Sequence, residues 1–315
     1  MPEFLAEVVG PLAGVTTSVL WSFTALFFTA AGRRIGPARV NATRIIFAVV
    51  WLGLTHRLLT GAWVPHAELR QIVLLGLSGF VGLTIGDLAL FTAFVRIGPR
   101  LAMLVMTTAP IFAALCGWLL LGEVLHGVAW VGMLVTLAGV AWVLLERPAQ
   151  VDHAGQRHRF SGLVLAAVAA GCQAVGLLLS KAGIGHGWLP REAHLAPQTA
   201  TLLRMVFAAL TVSPTFVFLA LRTRTHALPR PPNRRTTLTG YLFTLCGSIV
   251  GPFLGIWMSL VAADRAPLGV AQTTCSLPPV FILPLVALAR QEHISWRAVL
   301  GAVVAVGGTA VLFAA

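Results

Sequence analysis

The 315-residue chain is 57% hydrophobic and only 10% charged, with a mean hydropathy of +0.88. That excludes a soluble globular protein and describes a polytopic membrane protein. The net charge of +12 does not mark a nucleic-acid binder, because the basic residues lie in short loops between apolar runs, as topology signals and lipid headgroup contacts.

Ten apolar runs follow one another, each near the roughly 20 residues that cross a bilayer as a helix. They are residues 8–31, 41–59, 71–97, 101–121, 129–145, 161–183, 199–221, 239–262, 268–289 and 296–314. The breaks between them carry turn chemistry: Gly32-Arg33-Arg34, 61–65, Gly98-Pro99-Arg100, Gly122-Glu123, 190–197, 229–232 and Ala266-Pro267. Residues 1–9 hold Glu3 and Glu7 and no Lys or Arg, so the first run lacks a signal-peptide n-region and is expected to stay in the membrane. The four cysteines fall inside apolar runs without CxxC spacing or histidine partners and read as buried thiols. Neither a cofactor nor a metal site is expected: no HExxH, GxSxG or clustered His ligands occur, and the nine His lie almost all in loops.

The last 73 residues repeat an earlier stretch without a gap, at a constant offset of 169. Gly82 recurs as Gly251, Gly86 as Gly255, Arg96 as Arg265, Pro110 as Pro279, Glu123 as Glu292, Gly132 as Gly301 and Gly139 as Gly308. Such matches are informative because apolar composition inflates coincidences of Leu, Val and Ala rather than of Gly, Pro, Arg and Glu. Arg44-Ile-Ile-Phe-Ala matches Arg204-Met-Val-Phe-Ala at an offset of 160. Five spans per unit is odd, so successive units enter the membrane from opposite sides. The expected fold is therefore an all-α membrane protein of ten transmembrane helices in two inverted five-helix repeats, 8–145 and 161–314, joined by a polar linker at 146–160. Loops on one side carry 15 Arg and those on the other only Arg57, Arg70, Lys181, Arg191 and Arg265. The positive-inside rule then places the Arg-rich side in the cytoplasm and both termini outside the cell (inner) membrane.

The run Ala93-Phe-Val-Arg-Ile-Gly, then Pro110-Ile-Phe-Ala-Ala-Leu, Gly122-Glu123, Gly132 and Gly139, resembles the second part of an EamA domain of the drug/metabolite transporter superfamily. Two tandem copies make its ten-span members. The second half departs from the pattern, with a long loop before its seventh span and Gln291-Glu292 in place of Gly122-Glu123. The resemblance implies a secondary transporter of small organic metabolites, with a central cavity between the halves. Amino-acid-like solutes and export are the commonest expectation, with drug efflux a variant within the class. The small multidrug exporters of that superfamily carry a proton-binding Glu in their first span. The run 8–31 holds no acid, so proton antiport by that route is disfavoured.

Ionisable groups inside a span need a partner, an aqueous cavity or a function. Asp87 is the only acid deep in any expected span, and its repeat counterpart is Ile256. It is the leading candidate for binding a cation or carrying a proton, and a salt bridge to Arg44 would equally explain it. Arg44 and Arg204 occupy matching positions and read as packing or gating residues. Glu123 and Glu292 read as acceptors for orphan N–H groups at the start of the next helix. Further substrate candidates are Trp21 and Ser22, which align with Cys172 and Gln173; Thr107 and Thr108, one turn before Pro110; Gln272 and Thr273, before Pro278 and Pro279; and Trp257 near Gly255. A proline inside a span frees a carbonyl, and such loosened backbone is tolerated where it lines a cavity. Gly82 with Gly86 and Gly132 with Gly139 permit close helix approach.

A different class, an intramembrane aspartyl protease, is faintly suggested by Gly86-Asp87. That chemistry needs a second facing aspartate, and the only others are Asp152 in the linker and Asp264 at a span end. The partners expected are a small-molecule solute and the lipid bilayer, with the oligomeric state open.

Overall fold

A computed structural model describes residues 3–35, 37–146, 156–190, 193–222, 234–288 and 295–313. The regular structure of these residues is entirely helical. The first half comprises α1 (Glu3–Ile35), α2 (Pro37–Thr60), α3 (Leu69–Ser78), a π-helical segment (Gly79–Gly86), α4 (Asp87–Met106), α5 (Ala109–Leu121) and α6 (Gly127–Glu146). The second comprises α7 (Gln156–Ile184), α8 (Pro197–Arg222), α9 (Arg234–Ser248), a second π segment (Ile249–Gly255), α10 (Ile256–Arg265), α11 (Leu268–Thr274), α12 (Pro278–Leu288) and α13 (Trp296–Phe313). Nine stretches among the described residues are long and apolar enough to cross a membrane. The 26-residue α8, which falls on the seventh expected span, is a further long helix beyond those nine.

The halves are joined by exchange of their first helices. The first helix of each half packs on the third span of the other: α1 on α9, the second π segment and α10, and α7 on α3, the first π segment and α4. Glycines show the register. Along α1, Gly10 meets Arg265 and Ala266, Trp21 meets Gly255, Thr24 meets Gly251, Phe28 meets Gly247 and Ile35 meets Gly240. Along α7, Gly162 meets Arg96 and Ile97, Cys172 meets Gly86, and Gly176 meets Gly82. Both contacts are antiparallel, and they map onto each other through the repeat.

The fifth spans close the other side. A Cβ on Gly132 would come within 3.0 Å of the Gly308 carbonyl, and one on Gly301 within 3.2 Å of the Gly139 carbonyl. The pairing of 132 with 308 and of 139 with 301 runs α6 and α13 antiparallel, as an inverted repeat requires. With lipid on the outside there is little hydrophobic drive between helices, so such backbone-to-backbone approach supplies the packing.

Several boundaries differ from expectation, α1 running through Gly32-Arg33-Arg34 to Ile35 among them, and two bear on the comparison of the halves. The break expected at Gly98-Pro99-Arg100 is absent, and helical backbone continues through it to Met106. A proline removes one donor and disfavours helix in the residue before it, and here neighbouring turns carry the helix on. At the matching point of the second half, Ala266 is extended (φ −138°, ψ 159°) and the helix ends. The second difference is that α7 starts at Gln156, inside the stretch expected to be linker.

Both third spans contain a π turn at equivalent positions, and both fourth spans are interrupted, at Thr107-Thr108 and at Cys275-Ser276-Leu277. Discontinuous helices at mid-membrane depth are tolerated where neighbours or a cavity satisfy the loosened backbone.

Candidate functional site

These four irregular segments surround one cavity of about 330 Å³. Its wall pairs residues at the 169 offset: Leu83 with Pro252, Asp87 with Ile256, Met103 with Gln272, Met106 with Cys275 and Thr107 with Ser276. The cavity therefore sits on the axis that relates the two repeats, yet no pair has matching side chains. Trp21, Thr24, Ala25 and Phe28 of α1, Arg44 of α2 and Gln173 of α7 complete most of the wall.

Asp87 is the only acid on that wall among the described residues. Its Oδ2 accepts a hydrogen bond from Nη2 of Arg44 at 2.9 Å, and each side chain is about one-fifth exposed, 20% for Asp87 and 19% for Arg44. Arg44 Nε also donates to Asn41 Oδ1 at 2.7 Å, and its guanidinium lies 5.9 Å from the Phe28 ring centroid. The two charges thus meet each other and the cavity together. Arg204, the repeat partner of Arg44, is instead buried behind the wall, where Gly82 and Gly176 make room for its guanidinium. It lies within electrostatic reach of Asp87, and its Nε has no hydrogen-bond partner among the described residues. The group Arg44, Asp87 and Arg204 carries one positive charge in excess. The symmetric role expected for the two arginines is not what the structure presents: one lines the cavity and the other supports it.

The remaining candidates divide by helical phase. Trp21, Gln173, Thr107 and Gln272 line the cavity. Ser22, Thr108, Thr273 and Trp257 do not. Thr273 is fully buried and donates to the Gly269 carbonyl, Thr108 donates to the Val105 carbonyl, and Trp257 lies tilted against Phe253 with centroids 6.0 Å apart. Trp21, rather than Trp257, covers Gly255, where a Cβ would stand 2.6 Å from its Nε1.

Ser22 has a structural task that it shares with Ser18, a residue not singled out in the sequence. Pro278 has no N–H for the Thr274 carbonyl, and Ser18 Oγ donates to that carbonyl at 2.7 Å while accepting from Leu277 N–H at 3.1 Å. Ser22 Oγ lies 2.8 Å from the Ser18 carbonyl and 3.1 Å from the Pro278 carbonyl. The first half meets the same need differently: Ala169 stands on α7 where Ser18 stands on α1, and the carbonyl of Val105, the counterpart of Thr274, receives the N–H and the hydroxyl of Thr108 at 3.0 and 2.7 Å.

Away from the cavity, Gly122 takes φ +70° to end α5, and Glu123 N–H bonds back to the Gly117 carbonyl. The expectation that Glu123 caps the next helix is corrected in one respect. Its Oε2 accepts from the N–H of Leu268, the first residue of α11 in the other half, at 2.7 Å. Its Oε1 pairs with Lys181 Nζ at 2.6 Å, and Lys181 also donates to the Ala266 carbonyl at 2.6 Å. Lys181 is largely buried, although its position at the end of an apolar run reads as a loop charge. Glu292 lies outside the described residues. The absence of clustered His ligands is also corrected: folding brings His186 and His194 together on Asp264.

The profile of the EamA-like transporter family matches residues 8–145 and 160–314. No curated protein matches the chain. Twenty-eight chains of solved structures do. One of them, titled only "Crystal structure of protein", superposes over 96% of this chain and 95% of its own with a TM-score of 0.74 at 21% identity. At that identity the likeness is one of fold.

Proposed function

Since the chain belongs to the EamA-like transporter family, we propose that it moves a small zwitterionic, amino-acid-like solute across the cell (inner) membrane by alternating access of its two halves. The observation that carries this reading is the Arg44–Asp87 pair, exposed on the wall of a cavity that lies on the repeat axis. A carboxylate and a guanidinium side by side match an ammonium and a carboxylate on one carbon, and the excess positive charge of Arg204 favours the carboxylate end. Trp21, Phe28, Met103 and Met106 offer apolar and aromatic surface for the rest of the solute. About 330 Å³ is at the small end of ligand pockets, which run roughly 300–1,000 Å³, and suits a metabolite rather than a bulky drug.

Two features support loading from the cytoplasm and hence export. The α1 residues on the cavity wall lie toward Arg33 and Arg34, the side that the arginine distribution assigns to the cytoplasm. On the opposite side the contacts of Glu123 with Lys181 and with Leu268 N–H tie the halves. Rocking that opened the cavity outward would have to separate these contacts.

The test is counterflow of radiolabelled amino acids into proteoliposomes, with Asp87→Asn and Arg44→Gln beside the wild type. Transport of at least one zwitterion is expected, with a tenfold or greater loss in each variant. Since either change leaves a charge unpaired, thermal stabilisation of the purified proteins by the transported solute is read in parallel and should be lost in both. Unaltered transport and solute-dependent stabilisation in Asp87→Asn would sink the assignment of the site.

A further inference from the structure

We propose that His186, His194 and Asp264 form a binding site for a Zn²⁺-class divalent ion, outside the transport cavity, that fastens the loop end of the second half. Three ligand types that zinc accepts converge here: two imidazoles and a carboxylate, all of whose ligand atoms lie within 4.8 Å of one another. Both Nε2 atoms lie against the same oxygen, Asp264 Oδ1, at 2.8 Å from His186 and 2.9 Å from His194. Ligand atoms around an ion with bonds of about 2.0–2.2 Å stand roughly 3.0–3.5 Å apart, so the carboxylate-to-imidazole spacing needs to open by only a few tenths of an ångström.

The site is built rather than accidental. Asp264 is 2% exposed, and its second oxygen accepts from Arg265 Nε at 3.1 Å, which fixes the carboxylate plane. The chain after α7 turns back through Gly185 and Gly187, whose φ values of +124° and +82° suit glycine. Leu195 N–H then bonds to the Ile184 carbonyl at 2.7 Å, which sets the two rings edge to face at 5.9 Å. The imidazoles are 36% and 45% exposed, which leaves an entry path and open positions for water. Two imidazoles with one carboxylate suit a first-row transition ion, whereas Mg²⁺ and Ca²⁺ prefer all-oxygen cages.

The consequence follows from neighbouring contacts. Two residues beyond His186, Trp188 Nε1 donates to the Leu120 carbonyl at the end of α5 in the first half, at 2.9 Å. Two residues beyond Asp264, the Ala266 carbonyl receives Lys181, whose Nζ also pairs with Glu123 of the first half. An ion held between His186, His194 and Asp264 would stiffen both segments where they bridge the halves, and so slow their separation.

The test uses the full-length purified protein in detergent, titrated with Zn²⁺ against a competing fluorescent chelator, with Mg²⁺ as a control. The wild type should bind one more equivalent of Zn²⁺ than His194→Ala and than the His186→Ala/His194→Ala double variant. Zn²⁺ should raise the melting temperature of the wild type only, with no response to Mg²⁺. His194 is exposed enough that its loss leaves the fold intact, and the helical circular dichroism and monodisperse elution of the metal-free variants check this. Equal Zn²⁺ binding by wild type and both variants would overturn the site. The binding readout stands whether or not the solute reading is right. In proteoliposomes that transport, micromolar Zn²⁺ should slow the wild type and spare His194→Ala; equal inhibition of both would overturn the fastening role.

Discussion

Adjacent glycines in α13 allow the packing of the two halves to be tested with an internal control. A Cβ added to Gly307 meets nothing within 4 Å, whereas one added to Gly308 meets the Thr136 backbone nitrogen, the Thr136 hydroxyl at 2.7 Å and the Gly132 carbonyl at 2.9 Å. Gly307→Ala and Gly308→Ala share the gain in helix propensity, roughly 0.5–1 kcal/mol, so it cancels in their difference. What remains is the overlap at Gly308. Two of the three atoms in the way, the nearest included, are backbone, and overpacking of this kind costs about 1–3 kcal/mol. Gly307→Ala should therefore melt at or slightly above the wild type in detergent, and Gly308→Ala below it. Melting curves followed by intrinsic tryptophan fluorescence or by loss of the monodisperse chromatographic peak would read the difference. If Gly308→Ala were as stable as Gly307→Ala, the antiparallel seam of α6 and α13 would not be the close backbone contact described above.

Lys181→Met strips the cation from Glu123 and should lower stability toward the lower end of the roughly 3–5 kcal/mol that loss of one partner costs a buried pair. The Leu268 N–H still binds the carboxylate, and adding Glu123→Gln to Lys181→Met should recover part of the loss in the same melting assay. Ser18→Ala leaves the Thr274 carbonyl without a donor and should cost about 1–3 kcal/mol. Thr29→Ala, which removes a hydroxyl that only bonds back to its own helix at Ala25, should cost much less, and equal losses would remove Ser18 from the capping role.

The duplication and its inversion are legible in the sequence because Gly, Pro, Arg and Glu repeat in register and because five is odd. The exchange of first helices is not. Gly86 announces that something approaches closely, but only folding shows it to be Cys172 of the other half. The same holds for Glu123: a carboxylate after a helix-ending glycine predicts capping of an N-terminus, while the helix it reaches lies 145 residues away. Local chemistry names the need, and the long-range partner stays hidden.

The candidate site shows a related limit. Trp21 and Ser22, Thr107 and Thr108, and Gln272 and Thr273 are sequence neighbours, and neighbours on a helix point about 100° apart. Composition directs attention to the polar pair, and without the direction of the axis nothing selects the member that faces inward. In each pair one residue lines the cavity and the other only bonds to backbone, while Thr107 does both. Ser18 escaped notice for a different reason: a serine in an apolar run carries no signal until Pro278, on a distant span, is seen to leave a carbonyl beside it. His186 and His194 share one loop, and the Asp264 that unites them lies 70 residues beyond His194, so no ligand spacing announces the group.

The two halves divide labour at the place where their backbones are most alike. Each fourth span breaks just before a proline, but where the second half has Pro278 the first has Ala109. On one side Ser18 and Ser22 close the Thr274 break from α1, tying the first helix of one half to the broken span of the other. On the other side α7 supplies Ala169, and the Val105 carbonyl, the counterpart of Thr274, is closed from within its own span by Thr108. Symmetry builds a pair of breaks at mid-membrane depth, and unlike side chains close one through a distant helix and the other locally.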